Sequence, residues 1–90
     1  KDTVFARVPL SRADAFHMLD NITGKEVLDG VRGTAAVNRE CVVNLLVAVS
    51  DITLTHPNIH ELDLNPVLAG PDGLRIVDWL ATGTFLSDEA

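Results

Sequence analysis

The 90-residue sequence holds a single cysteine, Cys41, no tyrosine and one tryptophan, Trp79. One thiol excludes an internal disulfide framework, and Cys41 sits in an apolar run where a buried thiol is ordinary. Basic residues are scarce, with seven Lys and Arg against thirteen Asp and Glu and a formal charge of −6. That balance opposes the attraction to phosphate backbones on which nonspecific DNA and RNA binding depends, so no nucleic-acid partner is expected. Long hydrophobic runs are missing too. The longest, Val42 to Val49, is interrupted by Asn44 and falls short of the roughly 20 residues that span a bilayer. No membrane anchor is expected and no signal peptide is recognisable, which with the lone thiol fits a cytoplasmic setting.

What is present describes one globular unit. A content of 47% hydrophobic and 22% charged residues is too apolar for a disordered chain, and the length is too short for two ordinary domains. A unit of this size buries only roughly 60 to 65% of its unfolded surface, so faces made for a neighbour are expected to lie open. The first residue is Lys1 and a strand-like run starts almost at once, as expected of a single domain, residues 1–90, that is a fragment of a longer chain.

Local patterns give an order of strand, helix, loop, helix, strand, strand. Val4 to Val8 alternates in period two and ends at Pro9, which cannot donate a ladder hydrogen bond. Ser11 followed by Asp14 predicts a capped helix running to about Leu19 or Asp20. Lys25 to Leu28 reads as a short turn before the loop Asp29-Gly30-Val31-Arg32-Gly33. From Asn38, which can cap, Val42, Leu45, Leu46, Val49 and Ile52 recur at helical spacing, predicting a helix over about Arg39 to Thr53. His56-Pro57-Asn58 ends it. A strand is predicted from Ile59 to about Leu68, a turn at Gly70-Pro71-Asp72-Gly73, and a returning strand from Leu74 to Asp78. Thr82 to Ala90 carries no clear signal. The expected fold is α+β: a small antiparallel sheet built on a C-terminal hairpin, with two helices packed on one face.

The chemistry gathers in that hairpin. Side chains alternate along a strand, so Glu61, Asp63 and Asn65 fall on one face while Leu62, Leu64 and Pro66 fall on the other. A row of carboxylate and carboxamide oxygens suits a hard cation such as Mg²⁺, which is held by one or two carboxylates, waters and substrate phosphates. A solvated strand face accounts for the same row. Asp, Asn and Glu are depleted in strands, however, and such a local conflict tends to mark function. Register decides the geometry. If Gly70 pairs with Gly73 across a two-residue turn, Asn65 lies opposite Asp78 and shares its face; a type I turn with a bulge at Gly73 would put Asp78 opposite Pro66 instead.

Glu61-Leu62-Asp63-Leu64-Asn65-Pro66-Val67-Leu68, Asp72-Gly73 and Ile76-Val77-Asp78 together resemble the corresponding stretch of ADP-forming acyl-CoA (acetyl-CoA) synthetases and, more distantly, of succinyl-CoA synthetase β subunits. Phe5-Ala6-Arg7-Val8-Pro9-Leu10, Asp14-Ala15, Leu28-Asp29-Gly30-Val31-Arg32-Gly33 and the long helix extend the resemblance over about residues 4 to 80. It implies the C-terminal subdomain of an ATP-grasp domain. By that resemblance Asn65 and Asp78 hold Mg²⁺ against ATP or ADP phosphates, Glu61 and Asp63 give adjacent support in cofactor binding, and Arg32 contacts a phosphoryl group. The implied parent enzyme makes acyl-CoA from a carboxylic acid, CoA and ATP, reversibly, through a phosphoenzyme, with CoA and acid bound by other domains. The fragment would then meet the rest of the ATP-grasp domain, or another copy of itself, across its open faces. Asn38 stands where relatives often have aspartate, and Trp79-Leu80 where an arginine often follows. A regulatory or interaction module that kept the fold and lost turnover is the competing reading. His17, His56 and His60 match no phosphohistidine of the family and are expected to be structural or superficial.

Overall fold

The computed structural model describes residues 4–21 and 36–84. Helices α1 (Arg12–Asn21) and α2 (Arg39–Thr55) are followed by strands β1 (Ile59–Leu64), β2 (Val67–Gly70), β3 (Gly73–Ile76) and β4 (Trp79–Gly83). Both helices begin where their caps predict. The Ser11 N–H donates to Asp14 Oδ2 at 3.1 Å while the Asp14 N–H donates to Ser11 Oγ at 3.0 Å, a reciprocal box that satisfies two otherwise orphaned donors. Asn38 caps α2 by accepting from the Cys41 N–H at 3.3 Å. At the other end the His56 N–H still reaches Ile52 O at 2.9 Å, so α2 runs two residues past the expected Thr53 before Pro57 stops it.

The helices build the core between them. Ala15 and Val43 are fully buried and Leu19 nearly so, with Leu10, Phe16, Val42, Leu46 and Val47 closed around them. Burying a side chain such as Val43 contributes about 1.5 to 3 kcal/mol. The Arg12 guanidinium spans the two helices to Glu40 and Asn44 and lies 5.9 Å from the centre of the Phe16 ring. Ser50, the one buried polar residue among those described, accepts the Leu10 N–H at 2.9 Å and thereby ties the segment before α1 to the middle of α2. No helix among the described residues is long and apolar enough to cross a membrane.

The hairpin is attached to α2 at both of its ends. At the tip, the Asn38 N–H donates to Gly70 O at 3.1 Å and β3 packs against the helix. At the base, α2 leads into β1 through a turn closed by the Ile59 N–H on His56 O at 3.0 Å. There the Thr84 N–H meets Asn58 O at 2.9 Å, and Gly83 approaches so closely that a Cβ on it would lie 2.0 Å from Asn58 O. The α+β class, with a small antiparallel sheet on a C-terminal hairpin and two helices, is the observed one.

Three expectations need correction. Residues 4–8 form no strand: Phe5 is 90% exposed, and among the described residues no backbone hydrogen bond joins this segment to a β-strand. Period-two alternation yields a strand only where a neighbour takes its backbone groups. The single strand expected over Ile59 to Leu68 is two, divided at Asn65-Pro66, where proline offers no N–H to the ladder and the peptide bond is cis. The returning strand likewise ends at Ile76, and a further strand, Trp79–Gly83, follows it. The Lys25–Leu28 turn and the Gly30–Gly33 loop lie outside the described residues.

Two consequences are measurable. Hydrogen bonds from the Ser11 backbone and then from its hydroxyl hold the Asp14 carboxyl below the usual aspartate range, opposed weakly by desolvation and aided by His17. Because the folded pKa is the lower one, this contribution to stability is fully present above the ordinary aspartate range and is lost as pH falls through the folded value. An NMR titration will show Asp14 ionising below a random-coil aspartate, and Ser11→Ala will return it towards that value. Gly83→Ala, by forcing Asn58 aside, will cost about 1 to 3 kcal/mol in urea unfolding.

Candidate metal and nucleotide site

The turn resolves the register. Gly70 pairs with Gly73 across Pro71-Asp72, and the ladder continues as Ala69 with Leu74, Leu68 with Arg75 and Val67 with Ile76. Gly73 takes a φ of +138°, a conformation that residues with a Cβ rarely adopt. No bulge enters at the turn. Past the break the same pairing resumes, with Leu64 opposite Trp79, Asp63 opposite Leu80, Leu62 opposite Ala81 and Glu61 opposite Thr82. The one irregularity falls at the far end, between Ile59 and Glu61.

Asn65 and Asp78 therefore meet at the break between the two ladders. The Asn65 N–H donates to Asp78 O at 3.1 Å, and the Val77 N–H to Pro66 O at 3.0 Å. Directly opposed residues share a face, which places Glu61, Asp63, Asn65, Asp78, Leu80 and Thr82 together. Side-chain contacts agree with this assignment, since Thr82 Oγ1 donates to Glu61 Oε1 at 3.0 Å. Burial agrees as well: Leu62 and Leu64 are half-buried while Glu61, Asp63, Asn65 and Asp78 are exposed.

Oxygen donors of this kind fit a hard divalent cation. The Asp78 carboxylate is oriented by its own neighbour, the Trp79 N–H, which donates to Oδ1 at 2.8 Å. Among the described residues no group of three or more His, Cys, Asp or Glu is arranged to hold a metal by itself. A cation at Asn65 and Asp78 would thus complete its shell with water and phosphate oxygens, as Mg²⁺ commonly does. Strand rise separates the other acids from this pair: Asp63 stands roughly 7 Å and Glu61 roughly 13 Å from Asn65 along the chain, so Glu61 cannot share an ion with Asn65. Arg32 lies outside the described residues. His56 Nδ1 stands 2.9 Å from Thr55 Oγ1 and 3.3 Å from Ile52 O, at the end of α2 and away from the acidic row.

Thr82 and Leu80 on this face were not anticipated. Trp79 and Thr82 are strand-forming types but Leu80 and Ala81 between them are not, so the expected strand stops at Asp78 and the chain from Thr82 onward carries no clear signal. Extending the glycine-to-glycine register beyond Asp78 would have placed Thr82 opposite Glu61.

Residues 1–82 match the family model described as an ATP-grasp domain. The chain is 34% identical over 79 residues to acetate–CoA ligase (ADP-forming) I of Archaeoglobus fulgidus, covering 88% of this chain and 12% of that protein. It is 36% identical over 78 residues to the β subunit of acetate–CoA ligase (ADP-forming) I of Pyrococcus furiosus, covering 87% of this chain and 34% of the subunit. Among solved structures, ACD1 of Ca. Korarchaeum cryptofilum in complex with coenzyme A superposes with a TM-score of 0.89 at 34% identity, over 92% of this chain and 37% of that one. The acetyl-coenzyme A synthetase 1 of the same organism, in complex with coenzyme A and Mg-AMPPCP, gives a TM-score of 0.82 at 34% identity over 86% of this chain and 36% of that one. The chain thus spans about a third or less of the length of these relatives. From its sequence match and its superposition alike, the chain belongs to the ATP-grasp domain family, in the branch found in ADP-forming acyl-CoA synthetases.

Proposed function

We propose that this chain forms one wall of the Mg²⁺–ATP site in a longer ADP-forming acyl-CoA synthetase, as the C-terminal part of its ATP-grasp domain. That enzyme would join a carboxylic acid to CoA at the expense of ATP, giving ADP and phosphate, reversibly and through a phosphoenzyme. The observation that carries the reading is the register that sets Asn65 opposite Asp78 on the face shared with Asp63. The similar Korarchaeum synthetase binds Mg-AMPPCP, which supports a nucleotide in the same role here.

In this reading the Asn65 carboxamide oxygen and the Asp78 carboxylate hold the ion, and the Trp79 N–H fixes the Asp78 carboxylate. Bound Mg²⁺ would supply charge neutralisation to the phosphates during transfer. Asp63 flanks this pair, Glu61 supports the nucleotide further along the strand, and Arg32 contacts a phosphoryl oxygen with the planar fork suited to it. CoA and the carboxylic acid belong to other parts of the enzyme. Val77, Trp79 and Leu80, between 53% and 66% exposed, offer apolar surface for the remainder of the ATP-grasp domain.

In the complete enzyme, Asn65→Ala and Asp78→Ala should each lower ATP-dependent acyl-CoA formation by about 100-fold, with thermal unfolding shifted little because both residues are exposed. Unchanged turnover in both would sink the proposal and favour a non-catalytic interaction module. The 90-residue chain alone, supplying two ligands and no nucleotide, should bind Mg²⁺ too weakly for calorimetry to resolve at micromolar protein.

A further inference from the structure

The hairpin that carries Asn65 and Asp78 is anchored to α2 at its tip and at its base, and the two paths between those anchors differ in length. From Asn38 to His56 the helix measures roughly 27 Å at the α-helical rise. From Ile59 to Gly70 the β1–β2 arm measures roughly 36 Å at the strand rise if it is straight. Pairing along this arm is irregular at two points: a register shift beside the base, between Ile59 and Glu61, and the break between the ladders, at Asn65-Pro66 on one strand and Val77-Asp78 on the other.

We propose that α2 acts as a strut that sets the bend of the hairpin at its break, and that Asn38 is a positioning residue for the Asn65–Asp78 pair. Asn38 has two roles in separate parts of the residue. Its side chain caps α2 through the Cys41 N–H, and its backbone N–H grips Gly70 O at 3.1 Å. The second contact fixes the tip to the rigid end of a 17-residue helix. With the base already fixed through His56 and Asn58, the excess length of the arm is taken up at its two irregular points, of which the break is the one at Asn65 and Asp78, and the relative placement of these two residues follows from it. Its catalytic consequence rests on the reading of these two residues as metal ligands; its structural consequence does not.

Proline separates the two roles. Asn38 has a φ of −76°, within proline's range, so Asn38→Pro keeps the local backbone and removes the N–H together with the cap, whereas Asn38→Ala removes the cap alone. In the complete enzyme, amide exchange at Asn65 and Val77 should be about tenfold faster in Asn38→Pro than in Asn38→Ala, and the Mg²⁺ concentration for half-maximal activity at saturating ATP about tenfold higher. Equal exchange at those two amides in the two variants overturns the strut. Faster exchange with an unchanged Mg²⁺ requirement overturns the positioning role if Asn65→Ala does alter that requirement, and overturns the metal reading itself if it does not. Should Asn38→Pro fail to fold, the wild-type enzyme still decides. Coupling is reciprocal, so Mg-AMPPCP must slow exchange of the Asn38 amide, and an unaltered rate there overturns the proposal.

Discussion

A two-residue turn between Gly70 and Gly73 governs the rest of the hairpin. Because side chains alternate with period two, one extra residue in that turn would carry every residue of the returning strand to the opposite face. The observed pairing keeps a single register through eight residues and a break, from Gly70 opposite Gly73 to Glu61 opposite Thr82. Gly73 makes it possible, since its positive φ lets the chain reverse without the bulge that would set Asp78 against Pro66. The polar face, the pairing of Asn65 with Asp78 and the contact of Thr82 with Glu61 all follow from that turn.

The break at Asn65-Pro66 and the long α2 form one mechanical unit with the turn. Proline removes a ladder donor where the two candidate ligands meet, and pairing is maintained around it by the Asn65 and Val77 amides. Meanwhile the helix is stitched to the hairpin at Asn38 and at His56–Ile59. Capping is therefore more than a local stabiliser here. Asn38 begins the helix, receives the hairpin tip at Gly70 and so joins the helix that holds Val43 and Ser50 to the hairpin that carries the polar face.

The core itself is small. Ala15, Leu19 and Val43 lie at the α1–α2 contact, and the described residues extend over 56 × 24 × 23 Å, so the hairpin leaves Trp79, Leu80 and Val77 largely open. Such a shape suits a subdomain that finds part of its burial against neighbouring structure. It also leaves the acidic row solvated and open to a cation.

Much of this was written in local sequence. Ser11 with Asp14, Asn38, the apolar spacing from Val42 to Ile52, and Pro57 fixed both helices because capping and periodicity act within a few residues. Gly70-Pro71-Asp72-Gly73 announced the turn for the same reason, and the row Glu61, Asp63, Asn65 announced a polar face. The order of motifs along the chain identified the family. Tertiary structure decided what depends on a distant partner. Val4 to Val8 has strand periodicity and no partner strand among the described residues, whereas Trp79 to Gly83 has little signal and pairs fully with β1, because a ladder forms only where another chain segment accepts its backbone groups. Sequence admitted two registers for the hairpin. Only the folded chain, with its tip held by Asn38 and its base by Asn58, chose the one that brings Asn65 to Asp78.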